Sequence, residues 1–190
     1  MSVNWRCEAV CDCDDRRRIL QACVALVPVV VWPVAAPAQD AEQRRLWLRN
    51  THTGEELDAG YFAGGAYVPQ VLGQLDWLLR DHRTSEMLTM DQRLFDLLVE
   101  FAQSAGVEPR YEVISGYRSP ATNAMLAETT DGVSRQSLHM EGRAIDVRPV
   151  GMSTAAFRDL ALARRAGGVG YYAQSDFVHV DTGRVRSWSG

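Results

Sequence analysis

Ser137-Leu138-His139-Met140-Glu141-Gly142-Arg143-Ala144-Ile145-Asp146-Val147 is the stretch on which the reading of this chain turns, and Phe177-Val178-His179-Val180-Asp181-Thr182-Gly183 completes it. The glycine at 142 supplies a sharp turn, so a loop histidine before it and a strand carboxylate after it can face one point. Arg143 to Arg148 reads as that strand, and Phe177 to Asp181 reads as a second strand of the same small sheet. His139, Asp146 and His179 then have the types and spacing of a three-ligand zinc site. Two imidazoles and one carboxylate leave a fourth position for water, which hydrolytic zinc needs and structural zinc avoids. No cysteine follows Cys23, so a thiolate structural site in the body of the protein is excluded.

A hydrolytic site also needs a group that moves protons. Asp181 stands two residues after His179, and alternate residues of a strand share a face, so Asp181 is expected as the base or as the partner that orients the ligand. Asp176, in the loop before the same strand, is the alternative. Arg118 lies in Ser115-Gly116-Tyr117-Arg118-Ser119, directly after a buried strand at Tyr111 to Ser115. A guanidinium there suits a substrate carboxylate or a developing oxyanion. Tyr117 belongs to the core or the cleft wall, Glu141 faces solvent beside the site, and His52 and His82 read as surface residues remote from it.

Working outward, Arg45 to Asn50 and Glu56 to Phe62 alternate as strands around Thr53-Gly54. Apolar residues from Val68 to Leu79 recur at helical spacing, and a second helix runs from Thr89 or Asp91 to Gly106. Ser119-Pro120 caps a short helix ending near Ala127, Thr129 to Ser137 is a polar loop, and Ser153 caps a helix to Arg165. Val169 to Tyr172 and Arg184 to Trp188 are further short strands, with a tight turn at Asp181-Thr182-Gly183-Arg184. The order predicts an α+β domain in which N-terminal helices pack on a small antiparallel sheet that carries the zinc site.

The chain has 190 residues, enough for one domain with its own core. All of its basic residues are arginine, and a formal net charge of −4 argues against a general nucleic-acid binder. Residues 1–38 read as a secretory signal peptide: Arg16-Arg17-Arg18, an apolar run from Ile19 to Ala36, then Ala36-Pro37-Ala38. The arginine pair also resembles a twin-arginine signal. Pro28 and Pro33 interrupt the run, so no stable membrane span is expected after cleavage. Cys7, Cys11, Cys13 and Cys23 all fall in this leader, and a chain starting at Gln39 is cysteine-free, as suits an oxidising compartment.

The phrases SGYRSPATNAML, SLHMEGRAIDV, RAGGVGYY and FVHVDTGRVRSW together resemble the zinc peptidases that group D-Ala-D-Ala dipeptidases and carboxypeptidases with lysostaphin-like and hedgehog-like domains. The similarity is greatest to the murein endopeptidase K (YcbK-like) branch, over roughly Ser115 to Trp188. The resemblance implies Zn2+ on His139, Asp146 and His179, with Arg118 near the scissile bond. It also implies hydrolysis of D-amino-acid peptide bonds in peptidoglycan stems or cross-links, in the periplasm, with endopeptidase action favoured over carboxypeptidase trimming. Other branches place a glutamate where this chain has Asp176. The rival expectation is a non-catalytic peptidoglycan-binding module with a retained zinc site, since hedgehog-like relatives keep the site without obvious turnover.

Overall fold

The computed structural model describes residues 43–130 and 134–190. The expected leader, residues 1–38, lies outside the described residues. β1 (Arg44–Asn50) buries Leu46 and Leu48 and turns Arg45 and Arg49 outward, the alternation of a half-buried strand. Asn50 ends it: its Oδ1 accepts from the backbone N–H groups of His52 and Thr53 at 2.9 and 3.2 Å, and the chain returns as β2 (Glu56–Ala63). The two-residue β3 (Ala66–Tyr67) and α1 (Pro69–Leu78) follow.

α2 (Gln92–Ala105) starts where Asp91 accepts a hydrogen bond from the backbone N–H of Arg93, and it ends at Gly106. Leu94, Phe95, Leu98, Phe101 and Ala102 form its buried face. After β4 (Arg110–Ser115) come α3 (Pro120–Thr129), capped by Ser119, and a single 3-10 turn at Leu138–Glu141. The remainder alternates as β5 (Ala144–Pro149), α4 (Thr154–Arg164), β6 (Gly168–Tyr172), β7 (Phe177–Asp181) and β8 (Arg186–Ser189).

The strands of the described residues join one sheet of eight in the order β3-β2-β1-β4-β5-β7-β6-β8. The expected α+β class holds, but the sheet is larger than the small C-terminal one expected. The N-terminal hairpin is part of it, because β1 pairs in parallel with β4. Leu46 and Leu48 need cover on the core side, and the open edge of β4 places them beside Tyr111 and Val113 in one cluster.

The C-terminal turn also differs from expectation. β7 already pairs with β5 and β6, so both its edges are filled, and the last strand cannot fold back on it as a hairpin. Instead the chain passes the start of β6, and β8 adds to β6 in parallel, Gly170 opposite Trp188.

Strand parity then divides the sheet into two faces. Val113, Ile145, Val147, Val178 and Val180 join Leu94, Leu98 and Phe101 of α2 and Phe157 of α4 in a single core. Phe157 meets both Phe101 and Tyr111, with ring centroids 5.3 and 5.5 Å apart, tying α2, β4 and α4 together. Each large apolar side chain buried this way stabilises the fold by about 1.5–3 kcal/mol. Asp146 and His179, one residue out of phase with those valines, face the other way.

Candidate metal centre and its cleft

His139 sits in the 3-10 turn between two fixed points. Ser137 accepts a hydrogen bond from the His139 backbone N–H, and Gly142 closes the turn at φ 67°. A side chain at 142 would be strained at that φ and would place its Cβ 2.6 Å from the carbonyl oxygen of Thr89. The His139 ring is buried, with Nδ1 2.7 Å from the carbonyl oxygen of Gly116. A carbonyl only accepts, so Nδ1 carries the hydrogen and Nε2 presents its lone pair. Gly116 can deliver that carbonyl because it lies against Leu79, whose oxygen would be 2.5 Å from any Cβ there.

His179 and Asp146 are cross-strand partners on β7 and β5. His179 Nε2 lies 3.0 Å from Asp181 Oδ2, which fixes the opposite tautomer: Nε2 donates and Nδ1 is the free acceptor. Asp181 is fully buried and saturated. Its Oδ1 accepts from the backbone of Gly168 and Gly183 at 2.9 and 2.8 Å, and Arg186 donates to both oxygens. Burial alone would raise its pKa, but these donors hold it far below the ordinary carboxylate range.

The three freed acceptors converge. His139 Nε2 is 3.1 Å from His179 Nδ1, His179 Nδ1 is 2.8 Å from Asp146 Oδ1, and His139 Nε2 is 3.3 Å from the same oxygen. Ligand atoms held about 2.0–2.1 Å from a tetrahedral ion stand about 3.3 Å apart. Two lone pairs and an anionic oxygen at this separation repel one another unless a cation lies between them, so the donor set fits a metal ion. Burial would raise the pKa of Asp146, but the neighbouring histidines outweigh it and keep this carboxylate well below its ordinary value. Burial keeps His139 below its own ordinary value. His179 also suffers burial, yet the neighbouring carboxylates of Asp146 and Asp181 hold its pKa up.

Arg118 binds the other oxygen of Asp146, Nη2 to Oδ2 at 2.5 Å, and its Nε donates to Ser115 Oγ at 2.8 Å. Its backbone N–H donates to the carbonyl of His139 at 3.2 Å. Arg118 therefore aims Asp146 Oδ1 at the cluster while it lines the cleft. Asp176 lies apart from this group. It has a left-handed backbone at φ 51°, and its carboxylate takes Thr154 Oγ1 at 2.7 Å and Arg148 Nε at 3.0 Å. Of the two candidate bases, Asp181 has the geometry of an orienting group with no oxygen left to carry protons, and Asp176 is committed to Arg148 and Thr154.

The cluster opens into a cleft of about 1120 Å³. Sequence reasoning missed three of its features. His52, read as remote, lines the cleft with its Nε2 3.0 Å from the carbonyl of Ile114, and it stacks on His82 with ring centroids 3.9 Å apart. Trp188 reaches His179 with ring centroids 5.0 Å apart, while its Nε1 donates to the Tyr172 hydroxyl at 3.0 Å. Arg143, unremarked in the sequence, bridges Glu141 and Thr182 at the rim. The parallel β1–β4 and β6–β8 pairings bring the first two in, and no local pattern announces such pairings.

A family model described as peptidoglycan L,D-endopeptidase MepK, Peptidase M15_2, matches residues 38–188. A protein of Escherichia coli K12 named peptidoglycan L,D-endopeptidase MepK is 38% identical over 178 residues, 93% of this chain and 98% of that protein. The protein of that name in Shigella flexneri is equally similar, 38% over 178 residues. A Haemophilus influenzae protein named probable peptidoglycan L,D-endopeptidase MepK is 40% identical over 158 residues, 83% of this chain and 85% of its relative.

Proposed function

We propose, for a chain that belongs to the Peptidase M15_2 family of peptidoglycan L,D-endopeptidases, that it is a zinc-dependent murein hydrolase cutting D-amino-acid peptide bonds in peptidoglycan cross-links. One observation carries this reading. Three acceptor atoms lie within 3.3 Å of one another at the base of an open cleft, and the second nitrogen of each histidine is already committed elsewhere. His139, Asp146 and His179 would hold the ion. Bound there, Zn2+ supplies Lewis acidity, which polarises a carbonyl and makes water nucleophilic near neutral pH.

The remaining work falls to the protein's own groups. Gly116 and Asp181 hold the two imidazoles in the tautomers that face the cluster. Arg118 holds Asp146 by one oxygen and leaves the other directed inward. From the cleft wall, the same guanidinium supplies positive charge beside the carbonyl oxygen on which negative charge grows. Cleavage takes place outside the cytoplasm, in the periplasm, with residues 1–38 as the exported leader and residues 39–190 as the peptidase domain. The test is a chromatographic digest of defined cross-linked muropeptides with the zinc-loaded protein. Cross-link cleavage lost in His139→Ala supports the reading. Intact muropeptides with wild-type protein, alongside retained binding to sacculi, would make it a binding module instead.

A further inference from the structure

The chain is acidic overall, at a formal net charge of −4. Among the described residues its cleft is the reverse: five arginine side chains, Arg83, Arg118, Arg143, Arg184 and Arg186, line it, with Glu141 and Asp146 as the carboxylate side chains. Three of the five are engaged by the protein. Arg118 is bound to Asp146, Arg143 to Glu141 and Thr182, and Arg186 to Asp181. The side chains of Arg83 and Arg184 have no hydrogen bond, ion pair or ring contact among the described residues.

Their backbones are nevertheless fixed. The buried Asp81 accepts from the N–H of Arg83 at 3.0 Å with one oxygen and from the N–H of Ser119, beside Arg118, at 2.9 Å with the other. On the far flank, the buried Asp181 accepts from the N–H of Gly183, which immediately precedes Arg184, at 2.8 Å. Sheet order separates the two flanks. Arg83 follows His82, which stacks on His52 of the β1–β2 turn, while Arg184 precedes β8, and β5 and β7 with their two cluster residues lie between. Two anchored backbones thus present, on either side of the cluster, two guanidinium groups that have no partner among the described residues.

We propose that Arg83 and Arg184 each bind a carboxylate of the cross-linked peptide, one on each side of the scissile bond, and so make free stem-peptide carboxylates a specificity requirement. The inference rests on the hydrolase reading and names what that site selects. A guanidinium fork matches a carboxylate in two parallel hydrogen bonds, whereas a carboxamide offers one acceptor oxygen and no charge. Each pairing contributes about tenfold in affinity.

The experiment uses two synthetic cross-linked muropeptides that differ only in having free or amidated carboxylates. Turnover is measured with the zinc-loaded protein, and dissociation constants are measured by calorimetry with the metal-free protein. Wild type favours the free form, mainly through KM. Arg83→Gln and Arg184→Gln each reduce that preference by about tenfold, and Arg→Lys at either position restores part of it. If the preference is absent, or unchanged in both variants, the inference is overturned even where cleavage proceeds. If wild type cleaves neither peptide yet calorimetry shows the preference and its loss, the carboxylate sites stand and the hydrolase reading falls.

Discussion

Asp181 and Asp176 have the same side chain on one short stretch of chain, and their surroundings give them different work. Asp181 points inward on β7, ionised, with both oxygens filled by His179, Arg186 and two backbone N–H groups. Asp181→Asn leaves His179 free to turn over, so metal affinity falls about 10–100-fold, as read by competition with a chromophoric chelator. Asp176→Asn leaves metal affinity at the wild-type value, because that carboxylate serves Arg148 and Thr154. Equal losses from the two variants would sink this assignment. The cluster residues were legible in the sequence because each histidine stands in a phrase whose turn and strand can be read locally. Alternation also placed Asp181 beside His179. It could not show that Arg186, arriving on β8, would saturate that carboxylate, nor that a left-handed backbone at 176 would accompany a side chain bound to Arg148 and Thr154.

At the level of elements, the 3-10 turn that presents His139 depends on Gly142. A side chain there combines an unfavourable φ of 67° with a Cβ 2.6 Å from Thr89 O, and the carbonyl of Gly142 also caps Asp91 at the start of α2. Gly142→Ala destabilises the protein by about 2–4 kcal/mol and displaces His139. Gly54→Ala shares the positive φ, at 74°, but meets open space, and costs about 1 kcal/mol. Urea denaturation of both variants checks the difference; equal costs would mean that crowding at 142 is relieved elsewhere. Helices and their ends were readable because caps are local: Asp91, Ser119 and Ser153 each accept from a backbone N–H within the next three residues. Strand partners were not. The β1–β4 and β6–β8 pairs are parallel and join distant segments, so the C-terminal turn read as a hairpin when the free edge lay on β6.

Across the whole molecule, the buried Asp81 and the half-buried Asp91 tie the cleft to the fold and set its response to acid. Burial alone would raise the pKa of Asp81, but hydrogen bonds from Thr122, Ser119 and Arg83 lower it to about 2. Asp91, bonded to Arg93 and Thr182, is likewise lowered to about 2. Their ordinary value is 3.8, so the stability they contribute is complete above that pH and disappears as pH falls towards about 2. In metal-free protein, unfolding free energy therefore declines across that window. Asp81→Asn makes the decline shallower while lowering stability at neutral pH. A slope unchanged by the substitution would remove Asp81 from this role. The α+β class could be inferred from the order of elements, whereas the sheet's full width and the arginine-lined cleft depend on contacts between segments far apart in sequence.

X-ray absorption at the zinc edge, combined with metal content per chain, shows whether His139, Asp146 and His179 hold a zinc ion. The expected result is one zinc per wild-type chain, with nitrogen and oxygen neighbours at about 2.0–2.1 Å and no sulfur, and loss of that zinc in His139→Ala and His179→Ala. Zinc retained at full stoichiometry in both variants, or a sulfur shell around it, would mean that these three residues are not its ligands.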